Sequence, residues 1–281
     1  MDNRTRRAAI AQETLQILDR GQYLNRHGET VTIAAALSAA IAGSVHYPAE
    51  DLRRIAASAA PGQSYATAFR VANETTLAAA RRMVEAGVPD VLCLNFASAR
   101  NPGGGFLGGS EAQEENLAKS SGLYPCIQQM TAFYQANRQI RFCAYLDDMI
   151  YSPKVPVFRD DDYACLDRPY GVSIVTAPAV NHGAVARNEP ERLAELEAIM
   201  LGRIALLLAL ARRHGHRTLV LGAWGCGVFG NDPADMARWF AHHLLDDAAY
   251  GRAFEQVHFA VLDRRDDGTF AAFDRVLGAA P

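Results

Sequence analysis

The chain has 281 residues, with 28 Lys and Arg against 31 Asp and Glu, a formal charge of −3 and 49% hydrophobic content. This composition excludes a disordered chain and a basic nucleic-acid binder steered by its overall field, but not one anionic ligand held by backbone groups. The length supports a large core, built as one domain with an appendage or as two small domains.

In chain order, residues 1–20 read as a helix stopped at Gly21, Val31–Ile41 as a strand or short helix, and Asp51–Ala60 as a helix before the Pro61-Gly62 break. From about Tyr65 strands and helices alternate. Ala66–Ala72 is a strand, and Thr75–Ala86 is a helix capped by Asn73 and ended by Gly87. Asp90–Phe96 is a buried strand, and Ser110–Ser120 is a helix with Ser110 and Gln113 at capping-box spacing. Thr131–Asn137 follows as a short helix, then strands over Arg141–Asp147, Tyr151–Phe158 and Tyr170–Ala177. Glu189–His214 is the longest helix, and Thr218–Ala223 is a buried strand. Asp232–Asp247 is a helix with Asp232 as N-cap, Pro233 at N1 and Asp235 at N3, and Gln256–Leu262 is the last strand. The order predicts an α/β domain: a central mixed sheet with helices on both faces, residues 65–281, preceded by an N-terminal helical region, residues 1–64.

The most apolar run, Ile204–Ala211, is far shorter than the ~20 residues of a spanning helix, and the first residues lack the apolar segment of a secretory signal. Cys93, Cys126, Cys143, Cys165 and Cys226 are an odd set without CxxC spacing, which points to free thiols in a reducing compartment, the cytoplasm.

Ligands of such folds gather at the C-terminal ends of the strands, and two glycine loops fall there. Asn101-Pro102-Gly103-Gly104-Gly105-Phe106-Leu107-Gly108-Gly109 carries five glycines in seven positions, an entropic cost justified where backbone must approach a ligand closely. Successive N–H groups followed by a helix N-terminus make an anion cradle. Neither a Walker A loop nor GxGxxG is present, which weighs against a Rossmann-type enzyme. The second loop, Gly222-Ala223-Trp224-Gly225-Cys226-Gly227-Val228-Phe229-Gly230-Asn231, also joins a buried strand to a capped helix, so the two could grip one diphosphate. Phe106 and Phe229 can stack on a ribose or base; a packing turn and core aromatics are the alternatives. Behind the first loop stand Glu114 and Glu115. Adjacent helix residues diverge by about 100°, so the two carboxylates take different tasks. With Ser110 as cap, Glu115 stands at N5 and points back toward the loop. One carboxylate would hold a sugar hydroxyl. The other would serve as an acid with a pKa raised by burial and nearby anions.

NPGGGFLGGSEAQEE resembles the signature of poly(ADP-ribose) glycohydrolases of the shorter, microbial type, and GAWGCGVFGNDP resembles that family's second phosphate loop. The resemblance implies a macrodomain, a three-layer α/β/α fold, with residues 1–64 as the accessory region. Glu115 resembles the catalytic glutamate, and Glu114 the neighbour that hydrogen-bonds the ribose. Gly103, Gly104 and Gly105 resemble the diphosphate loop, and Gly225, Cys226, Gly227 and Val228 the facing loop, with Phe229 packed on the ligand. Asn101 resembles the asparagine that orients the distal ribose, and Glu74 lies near the expected adenine pocket. The implied activity is hydrolysis of ribose–ribose bonds from the chain end, releasing ADP-ribose. No cofactor, metal, DNA, RNA or membrane is needed, and a monomer is compatible with it. The chain has no match to the tyrosine-bearing segment that covers adenosine in larger animal enzymes. A mono-ADP-ribosyl-protein hydrolase and a non-catalytic ADP-ribose reader are the competing readings.

Other chemistry-bearing residues read as structural. The eight histidines show no HExxH, His214 and His216 flank Gly215 at a helix end, and Asp160-Asp161-Asp162 reads as a solvated turn. Cys226 has no recognisable histidine partner and reads as a small residue in a tight loop.

Overall fold

Side chains alternate across a strand, and here both faces are apolar. Leu92 and Leu94 of one strand enter one core while Val91 and Cys93 enter another, so each face needs a covering layer. A computed structural model describes residues 2–58, 63–246 and 250–278. Its elements are α1 (Asn3–Arg20), β1 (Gln22–Leu24), β2 (Thr30–Thr32), α2 (Ala34–Gly43), β3 (Val45–Tyr47), α3 (Ala49–Ser58), β4 (Ala68–Ala72) and α4 (Thr76–Glu85). There follow β5 (Val91–Phe96), α5 (Gln113–Ser120), α6 (Leu123–Gln128), α7 (Thr131–Gln139), β6 (Met149–Arg159), β7 (Cys165–Ala177) and α8 (His182–Asn188). The last are α9 (Leu196–Arg213), β8 (Thr218–Leu221), α10 (Pro233–Ala241), β9 (Gln256–Ala260) and α11 (Thr269–Leu277).

The seven-stranded sheet has the order β3-β6-β7-β5-β8-β9-β4. The run from β7 to β4 is parallel, while β6 and β3 add an antiparallel edge. One face is covered by α3, α9, α10 and α11 through Leu52, Ile204, Phe240 and Phe273. The other is covered by α4, α5, α6 and α7 through Leu77, Leu117, Ile127 and Phe133. This is the expected three-layer α/β/α arrangement on a mixed sheet. The described part of the N-terminal region shares it: β3 pairs Val45 with Tyr151 and Tyr47 with Met149 at the sheet edge, and Leu52 enters the main core. Among the described residues no helix is long and apolar enough to cross a membrane.

Local readings differ from the structure where a tertiary partner intervenes. Arg141–Asp147 is irregular rather than a strand, because the Arg203 guanidinium takes the carbonyls of Ala144 and Tyr145, and Tyr145 is left-handed at φ 61°. Thr75, not Asn73, caps α4; Asn73 instead exchanges two hydrogen bonds with the Asp263 backbone. The helix after the first glycine loop starts at Gln113 with Ala112 as an N-cap that makes no side-chain bond, so Ser110 and Gln113 form no capping box. The expected long helix, Glu189–His214, opens as a 3₁₀ segment, Pro190–Glu195, and is α-helical only from Leu196; Pro190 keeps Glu189 out of helical geometry. In the region read as a strand or short helix, β2 is followed by α2. Asp232 caps α10 as expected, accepting from the N–H groups of Ala234 and Asp235, but a π turn, His242–Asp246, ends it. Residues 59–62 of the expected helix and break, and residue 247, lie outside the described residues.

Candidate active site

β5 and β8 are parallel neighbours, so the two glycine loops leave the same edge of the sheet, from Phe96 and Leu221. The first is a chain of tight turns: Gly104 N–H donates to Asn101 O, Phe106 N–H to Gly103 O and Gly108 N–H to Gly105 O. Gly103 and Gly104 are left-handed at φ 71° and 59°. The carboxylates crowd the second of these glycines, and its left-handed backbone favours glycine as well. A Cβ on Gly104 would collide with Glu115 Oε1 and stand 3.1 Å from Glu114 Oε2.

With Ala112 as cap, Glu114 and Glu115 occupy the second and third positions of α5, not the fifth, inside the turn where the helix dipole favours negative charge. They have separate anchors. Glu115, 9% exposed, accepts from Gly105 N–H at 2.9 Å. Glu114, 3% exposed, accepts from Ser98 N–H at 2.7 Å and from Asn95 Nδ2 at 3.3 Å; Asn95 also donates to Thr176 Oγ1. Burial pushes the Glu114 carboxyl up to about 8, the Ser98 N–H works against this, and the Glu115 charge adds to it. Gln113 ties the start of α5 to the sheet: its amide donates to Leu94 O and Thr76 Oγ1 and accepts from Phe96 N–H.

The second loop hangs from the end of β7. Buried Trp224 donates through Nε1 to Ala177 O at 3.1 Å, and buried Asn231 donates through Nδ2 to Val180 O at 2.8 Å and Gly225 O at 3.2 Å. Gly225 is left-handed at φ 74°, and a Cβ there would lie 2.6 Å from Ala179 Cβ. Gly227 has open space above it, and Val228 is 88% exposed. Burial pushes the half-buried Cys226 thiol up to about 12, far from a nucleophile's range. Phe229 is half-buried, its ring 5.8 Å from that of Tyr145; the Arg100 guanidinium lies 5.8 Å from the same Tyr145 ring. Tyr145 therefore links the beginning of the first loop to the end of the second.

Phe106 does not line this cleft. At 1% exposure it packs beneath the loop against Tyr124, Ala11 and Ala118, because the 3₁₀ turn Phe106–Gly108 directs its ring inward. Asn101 is exposed and contributes a backbone carbonyl to the turn. Glu74 follows β4, three places along the sheet from β5, and its carboxylate is held by Arg82 at 2.6 Å, with His258 Nε2 2.8 Å away. No cluster able to hold a metal occurs among the described residues. His214 is stacked on Tyr151 and held neutral by burial, its pKa lowered to about 4. Asp161 accepts from Thr75 Oγ1 at the start of α4.

Sequence reasoning missed Asn95, Ser98, Tyr145, Arg203 and Asn231. Two carried a visible signal: Asn95 is a polar residue late in the apolar strand DVLCLNF, and Arg203 is the one charge between Glu197 and Arg212 in an otherwise apolar helix.

The microbial-type PARG catalytic-domain family matches residues 11–160. Poly(ADP-ribose) glycohydrolase from Thermomonospora curvata is 47% identical, with a TM-score of 0.94 over 98% of this chain and 100% of that one. The same enzyme bound to the inhibitor ADP-HPD is 47% identical, with a TM-score of 0.90 over 97% and 99%. The Deinococcus radiodurans glycohydrolase in complex with ADP-ribose is 44% identical, with a TM-score of 0.82 over 87% of this chain and 98% of that one. No match was found among curated proteins. The extent of these likenesses, over a fold with two glycine loops at one sheet edge and a carboxylate pair behind the first, shows that the chain belongs to the microbial-type poly(ADP-ribose) glycohydrolase family.

Proposed function

We propose that this glycosidase hydrolyses the ribose–ribose O-glycosidic bonds of poly(ADP-ribose), mainly from the chain end, with ADP-ribose as product. One observation carries the assignment of the chemistry: the Glu115 carboxylate accepts the N–H of Gly105, within the loop proposed to hold the diphosphate, at 2.9 Å. Acid and anion cradle are thus one hydrogen bond apart. The Gly103–Gly105 turn brings its backbone up to the diphosphate and the N–H groups of Gly225, Gly227 and Val228 neutralise it, which lets a chain of net charge −3 hold a polyanion. Protonated Glu115 gives its proton to the ribose oxygen leaving the anomeric carbon as the C–O bond breaks with oxocarbenium character. Ionised Glu115 then takes a proton from water as water's oxygen bonds to that carbon, restoring the acid. Glu114, fixed by the Ser98 N–H and the Asn95 amide, orients the ribose hydroxyls. Phe229 packs on the ligand, Asn101 orients the distal ribose, and Glu74 faces adenine.

Residues 1–64 act as an accessory region that braces the catalytic residues 65–281. The setting is the cytoplasm, consistent with five free cysteines, and the working unit is a monomer that uses neither nucleic acid nor a membrane. Incubation with automodified polymer tests the reading. Free ADP-ribose is expected from the wild type and is expected to disappear in Glu115→Gln, while ADP-ribose binding persists. Comparable hydrolysis by the Gln variant would remove Glu115 from the chemistry. Release from mono-ADP-ribosylated protein but not from polymer would favour the mono-hydrolase, and binding without release would favour a reader.

A further inference from the structure

The descending arm of the first glycine loop is gripped from outside the sheet. Its three successive carbonyls, of Gly108, Gly109 and Ser110, each accept from a cation: Arg4 Nε at 2.9 Å, Arg7 Nε at 2.8 Å and Lys119 Nζ at 3.5 Å. Arg4 and Arg7 lie one turn apart on the same face of α1. Arg7 also reaches Glu111 Oε2 through Nη1 at 2.8 Å, so one planar guanidinium holds the arm at two points. The approach is close. Gly109 is left-handed at φ 75°, and a Cβ there would collide with the Arg4 carbonyl oxygen and stand 3.1 Å from Arg4 Cγ. Beneath the arm, Phe106 packs on Ala11 of α1 and on Ala118, while Thr14 Oγ1 donates to Lys119 O at 2.7 Å.

The arm is short and taut. Ser110 N–H returns to Gly105 O at 3.2 Å, Gly105 N–H donates to Glu115 Oε1, and α5 begins at Gln113. Slack in residues 108–111 would therefore change the distance between the glycine turn and the two glutamates. The second loop would be untouched, so ligand holding should suffer less than alignment.

We infer that Arg7, assisted by Arg4, is a positioning residue for the glycosidic step: α1 brackets residues 108–111 and so sets the Glu115 carboxyl against the diphosphate turn. The inference rests on the assignment of Glu115 as acid and base. The test uses the full chain, with kcat and KM on poly(ADP-ribose), ADP-ribose titration by calorimetry, and thermal midpoints to establish folding at the assay temperature. Arg7→Ala is expected to lose at least about tenfold in kcat, with ADP-ribose affinity changed by less than about threefold. Arg7→Lys keeps the charge but not the fork, and is expected to stay closer to Arg7→Ala than to wild type. A folded Arg7→Ala with kcat within about twofold of wild type would overturn the inference, as would full activity in Arg7→Lys or equal losses in kcat and affinity. If Arg7→Ala does not fold, Arg4→Ala combined with Glu111→Gln, both at exposed positions, carries the same expectation of a kcat loss at retained affinity. Glu115→Gln assayed in parallel separates the two ideas. Retained turnover there defeats the acid assignment whatever Arg7 does, whereas lost turnover beside an unaffected Arg7→Ala defeats the bracket alone.

Discussion

Glu114 and Glu115 are adjacent in the chain, yet one bonds to the end of β5 and the segment beyond it, and the other to the glycine turn. That divergence gives each its own chemistry, and it makes Glu114 costly to bury. Its folded pKa, about 8, lies above its ordinary value of 4.5. Below the ordinary value both folded and unfolded states hold the proton and nothing is lost. Between the two values the unfolded chain releases it while the folded chain retains it, so stability falls as pH rises toward 8 and then levels off. The full loss is on the order of several kcal/mol. Thermal melts from pH 6.5 to 8, above the range in which the buried, neutral His214 adds stability as pH rises, are expected to show this decline in the wild type and a much flatter profile in Glu114→Gln. Parallel profiles would mean that Glu114 does not titrate in this window.

At the scale of elements, helix α9 places one charge inside the molecule. Arg203 is fully buried and donates to Pro178 O, Ala144 O and Tyr145 O, and it pairs with Asp147 at 2.9 Å. These bonds hold the segment carrying Tyr145, the ring between Arg100 and Phe229. Removing the guanidinium leaves buried carbonyls without donors and Asp147 without this partner. Arg203→Met is expected to cost about 3–5 kcal/mol in denaturant unfolding, with weakened ADP-ribose binding through the loosened Phe229 loop. A loss under about 1 kcal/mol would show that the segment holds its shape without the arginine.

At the scale of the whole molecule, the net charge of −3 offers a polyanion no long-range attraction, so binding relies on amides and helix ends at short range. Proteins that neutralise many phosphates with side-chain cations lose about 10³–10⁵ in affinity between 50 and 200 mM salt. Here kcat/KM on polymer is expected to fall by less than about tenfold over that interval, measured by initial rates of ADP-ribose release. A steep decline would point to a cationic track for the rest of the polymer.

The layer architecture is legible in the residue order, because side chains alternate between the two faces of an apolar strand such as Asp90–Phe96 and both faces then demand cover. The same order also marked the glycine loops and the glutamate pair, since dense glycine and paired carboxylates are local, costly choices. Short elements such as β1 and β3 escaped it, three residues being too few to display a period. Which partner each polar group takes emerges only on folding: Gly105 for Glu115, Ser98 and Asn95 for Glu114, Thr75 rather than Asn73 at the start of α4, and the interior rather than the cleft for Phe106. Hydrogen-bond choice and burial depend on segments distant along the chain, and no local pattern of residue types encodes which of those segments arrives.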